Sequence, residues 1–94
     1  MNSEEATQLL ERELASFRGE SYTRLALRIP SGSLHVERPA ADGATYQLEF
    51  QFFWDDRAGG NIRVMGSIDD GGWRAFVPIT RSFIKSADGS FVGE

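Results

Sequence analysis

The feature that most constrains this chain is the stretch from residue 46 to residue 54. Tyr46, Leu48, Phe50, Phe52 and Trp54 alternate with Gln47, Glu49, Gln51 and Phe53. Successive side chains of a strand point to opposite faces, so this period of two predicts a β-strand with one continuous apolar face. A face carrying that much aromatic surface must be covered by a second layer.

The N-terminal segment supplies the cover. Ala6, Leu9, Leu10, Leu14 and Phe17 follow the spacing of one helix face, which predicts a helix over 3–18. Ser3 suits an N-cap, Glu4 and Glu5 complement the helix dipole, and Arg18-Gly19 gives a cationic last turn and a stop.

The rest reads as a meander. Leu25, Leu27 and Ile29 alternate with Arg24, Ala26 and Arg28, predicting a strand over 22–29. A turn at Pro30–Ser33 then pairs Ile29 with Leu34 and Leu27 with Val36. Pro39–Gly43 is the next turn. Arg57-Ala58-Gly59 fits a three-residue loop with Gly59 in the left-handed conformation, pairing Trp54 with Ile62, Phe52 with Val64 and Phe50 with Gly66. Asp70-Gly71 fits a two-residue type I′ turn, pairing Ile68 with Trp73, Gly66 with Ala75 and Val64 with Val77. The expectation is a single α+β domain over 1–94. In it the N-terminal helix packs on one face of a five-stranded antiparallel meander sheet (22–29, 33–38, 44–55, 61–69, 73–79), followed by an irregular C-terminal segment, 80–94. The row Phe50, Gly66, Ala75 predicts a groove in the covered face, filled by Leu14 or Phe17.

Composition excludes several chemistries. The chain has no cysteine and a single histidine, His35, so a thiolate nucleophile and a Cys- or His-rich metal site are ruled out. Two acidic, glycine-rich stretches, 54–61 and 68–73, would sit at opposite ends of one strand, roughly 25 Å apart at ~3.3 Å per residue. Asp and Gly are also what tight turns require. No catalytic residue, metal site or cofactor is expected. The net charge of −4 argues against nucleic acid as a general partner. An acidic N-terminus, and no apolar run near the ~18–20 residues of a membrane span, point to the cytoplasm and away from a membrane.

The second face of the predicted sheet holds the candidate site. By parity it gathers Tyr22, Arg24, Arg28, Phe53, Arg63, Met65, Arg74 and Phe76. Aromatic, Met and Arg enrichment is the composition of protein interfaces. The expected role is therefore non-enzymatic, with a protein partner or a homodimer on that face. One alternative is single-stranded nucleic acid, its bases stacked on the aromatics and its phosphates on the arginines. Another is self-coverage by the tail through Phe83, Ile84, Phe91 and Val92.

Overall fold

Helix α1 spans Ser3–Arg18 and buries Ala6, Leu10, Leu14 and Phe17, the face its spacing predicts. Its cap is one residue earlier than expected. The Asn2 side chain, not Ser3, accepts the Glu5 N–H. The computed structural model describes residues 1–72 and 78–94.

The predicted first strand is a helix. Residues Tyr22–Arg28 form α2, with Ser21 as N-cap accepting the Arg24 N–H at 3.1 Å. The segment carries two patterns at once. Leu25, Leu27 and Ile29 alternate, but Tyr22, Leu25, Ala26 and Ile29 follow i, i+3, i+4, i+7, and this second set packs into the core. Leu25 is wholly buried, whereas Leu27 stands 75% exposed. Ala, Leu and Arg also favour a helix over a strand. The pairings of Ile29 with Leu34 and Leu27 with Val36 therefore do not form. The turn before the sheet is closed by Gly32, at φ 80°, whose N–H donates to the Arg28 carbonyl.

The sheet is antiparallel and four-stranded among the described residues: β1 (Ser33–Pro39), β2 (Thr45–Trp54), β3 (Ile62–Asp69) and β4 (Ile79–Lys85), in the order β1-β2-β3-β4. The β2–β3 register is the predicted one, with Trp54 opposite Ile62, Phe52 opposite Val64 and Phe50 opposite Gly66. Gly59 adopts φ 81°, as its loop requires. The next connection differs. A type I′ turn needs positive φ at both central residues, and Asp70 keeps a negative one. The Asp69 and Asp70 carboxylates instead accept the Gly71 and Gly72 N–H groups. The partner of β3 is thus β4, with Ile68 opposite Ile79, Gly66 opposite Arg81 and Val64 opposite Phe83. Most of β4, at the edge of the sheet, comes from the segment expected to be irregular. The expected strand 73–79 falls largely on residues 73–77, outside the described residues.

Both helices pack on the same sheet face, α1 against β3 and β4, α2 against β2 and β3. Gly66 sets the approach of α1. A Cβ there would lie 2.8 Å from Phe50 Cε1 and 2.9 Å from Leu10 Cδ1. Leu10, not Leu14 or Phe17, lies over Gly66; Arg81 stands beside it where Ala75 was expected, Ala75 being outside the described residues, and Phe17 packs on Phe50 and Phe52 with ring centroids 4.9 and 5.3 Å apart.

Lys85 closes the far end of this layer. It is only 8% exposed, and its ammonium donates to the carbonyls of Arg18 (3.1 Å) and Glu20 (2.6 Å), where α1 ends. A cation at a helix C-terminus satisfies carbonyls that have no intrahelical donor. No helix among the described residues is long and apolar enough to cross a membrane.

Replacing Gly66 by valine forces Leu10 off the Phe50 ring. The expected cost is about 1–3 kcal/mol, the usual penalty for overpacking a filled core, read as a lowered urea midpoint at unchanged m-value. An unchanged midpoint would mean that α1 does not need this contact.

Candidate functional site

The face of the sheet away from the helices is defined by strand parity. It carries Ser33, His35 and Glu37 from β1 and Gln47, Glu49, Gln51 and Phe53 from β2. Arg63, Met65, Ser67 and Asp69 come from β3, and Thr80, Ser82 and Ile84 from β4. Register places these in rows. Phe53, Arg63 and Ile84 form one, and Gln51, Met65 and Ser82 the next. His35, Glu49, Ser67 and Thr80 follow, then Glu37, Gln47 and Asp69.

Of the predicted site residues, Phe53, Arg63 and Met65 share this face, and all three are partly exposed. Arg74 and Phe76 lie outside the described residues. Tyr22, Arg24 and Arg28 do not belong to the face, because their segment is α2 on the opposite side. Ile84, which sequence reasoning assigned to an irregular tail, does belong to it. Its signal was the alternation of Ile79, Arg81, Phe83 and Lys85 against Thr80, Ser82 and Ile84.

Two of the displaced residues, Tyr22 and Arg28, have structural roles. The Tyr22 hydroxyl donates toward the carbonyls of Gly60 (2.8 Å) and Gly59 (2.9 Å), and so ties α2 to the β2–β3 loop. Arg28 makes a two-pronged contact with Glu20, at 2.9 and 2.7 Å, and its guanidinium stacks 5.1 Å from the Phe17 ring centroid. Hydrogen bonding to Glu20 raises the Arg28 pKa, and the same bond holds the Glu20 carboxyl below its ordinary value.

Charge on the sheet face is distributed otherwise than its arginine content suggests. Arg63 Nε donates to Asp55 Oδ1 at 2.7 Å, and one of its terminal nitrogens donates to the Ser82 hydroxyl. Its positive charge is largely spent within the loop at that end. The other end carries Glu37, Glu49 and Asp69, with His35 beside them. Among the described residues the face is apolar at the Phe53–Met65–Ile84 end and acidic at the Glu37–Asp69 end.

A shallow cleft of about 220 Å³ opens over this acidic end, lined by His35, Gln47, Leu48, Glu49, Ser67, Asp69 and Pro78. It brings a serine, a histidine and a carboxylate into one row, but in the wrong order for nucleophilic catalysis. Glu49 stands between His35 and Ser67, so the imidazole is two strands, roughly 10 Å, from the hydroxyl it would have to deprotonate. The acidic-glycine stretches are turn chemistry. Asp55 binds Arg63, Asp56 accepts the Arg57 N–H, and Asp69 and Asp70 accept glycine N–H groups.

Two further sites of shifted titration lie off the face. Tyr46 is buried under α1, and burial, reinforced by its hydrogen bond to Glu5, pushes its phenol up to about 12. Asp88 accepts from the Ser86 and Ser90 hydroxyls and the Ser90 N–H, which holds its carboxyl down to about 2. No protein-family model, curated protein or solved structure matches this chain.

The depressed carboxylates predict the acid limb of stability. Glu20 and Asp88 titrate lower folded than unfolded, so their contribution is complete above their ordinary values of 4.5 and 3.8. It is lost as pH falls through the folded values. The urea midpoint is expected to drop through this window, and Asp88→Asn to flatten the part between pH 3.8 and about 2. An Asp88→Asn profile superimposable on the parent would show that the turn contributes nothing.

Proposed function

We propose that this is a non-enzymatic protein-interaction domain of the cytosol, whose sheet face opposite the helices receives a basic, partly apolar segment of another protein. The observation that carries this reading is the division of the face. Phe53, Met65 and Ile84 offer apolar contact, and Glu37, Glu49 and Asp69 lie one to three rows away. Charge complementarity across an interface steers encounter and fixes register, and an exposed Met beside an aromatic residue supplies adaptable apolar contact. Nucleic acid fits this surface less well, because its phosphates would meet the carboxylates while Arg63 is engaged by Asp55.

The test is a titration of the isotopically labelled protein with a short amphipathic Lys/Leu peptide, followed by amide chemical shifts. A Glu/Leu peptide of equal length and a single-stranded oligonucleotide serve as contrasts. Saturable shifts along β2, β3 and β4 are expected with the basic peptide alone. They should weaken as salt rises, since exposed charges are screened beyond roughly 10 Å at 0.1 M. Glu49→Lys and Met65→Ser should each weaken binding by about tenfold, the equivalent of losing ~1.4 kcal/mol of contact. Shifts confined to other surfaces, or stronger shifts with the oligonucleotide, would overturn the proposal.

A further inference from the structure

The two edges of the sheet are not equivalent. At β4 the outward groups belong to Thr80, Ser82 and Ile84, and the chain itself begins to close them. The Val92 N–H donates to the Ile84 carbonyl at 2.9 Å, and Phe91 bridges to Lys85. At β1 the parity can be read from the flanking bonds. The Phe52 N–H donates to the Gly32 carbonyl and the Ala40 N–H to the Ala44 carbonyl, so even-numbered residues of β1 bond to β2. Ser33, His35, Glu37 and Pro39 therefore turn their backbone groups outward. No backbone group among the described residues bonds to them; the Arg38 guanidinium, paired with Glu13 through its Nε, also donates to the Glu37 carbonyl at 2.9 Å, which keeps a second lone pair for another donor.

This edge is also self-complementary. If it pairs antiparallel with its own copy about a two-fold axis at Val36, His35 lies opposite Glu37 of the second copy, and Glu37 opposite its His35. Those are outward-bonding residues on both strands, so each such pair exchanges both backbone hydrogen bonds. The Ser33 N–H meets the carbonyl of Pro39, and because Pro39 has no N–H to return, this terminal pair makes one bond where the His35–Glu37 pairs make two. On the helix side, Val36 meets Val36 at the close, non-hydrogen-bonded spacing. Leu34, which is 37% exposed, lies under the aliphatic stem of Arg38. On the other face the imidazole and the carboxylate form a donor–acceptor pair. Moving the axis to His35 or Glu37 would keep the ladder but set His35 or Glu37 opposite its own copy, so the axis at Val36 is the one that pairs each imidazole with a carboxylate.

We propose that a second copy of this chain pairs with the β1 edge about Val36, joining the two sheets into one continuous sheet with all helices on the same side. The occupant is a second copy because the strand's own sequence, reversed, places His35 against Glu37 twice and Val36 against Val36. This pairing uses the edge, not the face proposed above for another protein, so either can fail without the other.

The experiment is sedimentation equilibrium of the full chain over a range of concentrations, with hydrogen exchange of the His35 and Glu37 amides as a second readout. A reversible dimer in the micromolar range is expected, with those two amides protected more strongly as concentration rises. His35→Pro removes an N–H that faces solvent in the monomer but bonds in the dimer, and should abolish association while far-ultraviolet circular dichroism keeps the fold. His35→Glu sets like charges opposite each other and should weaken the dimer by about tenfold, the scale of two cross-strand pairs. The double exchange His35→Glu with Glu37→His recreates the pairs and should restore it. Met65→Ser should leave it unchanged. A monomer at high micromolar concentration, a dimer indifferent to His35→Pro, or no rescue by the double exchange would each overturn the proposal.

Discussion

The architecture depends on a missing side chain. Gly66 lies at the centre of β3, flanked by Phe50 on one strand and Arg81 on the other, and its bare backbone lets Leu10 of α1 rest against the Phe50 ring. A helix must approach a sheet closely enough for its side chains to interdigitate with those of the strands. Any larger residue at 66 would lift α1 and loosen the contacts on either side of it, from Ala6 to Phe17. The positions of Arg18 and Glu20, and hence of the carbonyls that Lys85 satisfies, follow from that one approach.

What the sequence made legible was what local chemistry decides alone. Helix α1 follows from its apolar spacing, and the β2–β3 hairpin from Gly59 and the Phe50–Trp54 alternation. The failures came where two local patterns coexist or where parity is the only guide. Residues 22–29 satisfy both a period of two and a helical period. Tertiary packing selected the second by burying Leu25 and leaving Leu27 in solvent. The slip at β3 is of another kind. Moving its partner from 73–79 to 79–85 changes the register by an even number of residues, so every apolar side chain keeps its face. Face consistency is necessary for a register but cannot choose among even shifts. The choice was made by contacts distant in sequence, above all by Lys85 against the end of α1.

The same point applies to the surface. Counting arginines by parity suggested a basic sheet face. The structure removes Arg24 and Arg28 to a helix and ties Arg63 to Asp55, and what is left among the described residues is apolar at one end and acidic at the other. Partner chemistry depends on which charges are already neutralised within the fold, and that is fixed only when the pairing is known.

Lys85 has a kinetic consequence. The carbonyls it binds belong to Arg18 and Glu20, so its two bonds span 67 and 65 residues. During synthesis, α1 would wait with its C-terminal end unsatisfied until the residues between it and Lys85 had been made. β3 would wait likewise for β4 along its open side. Contacts of such long sequence separation are slow to form, because loop closure precedes their reward. An incompletely emerged chain would hold the aromatic face of β2 only partly covered, in the state most prone to mispair with other nascent strands.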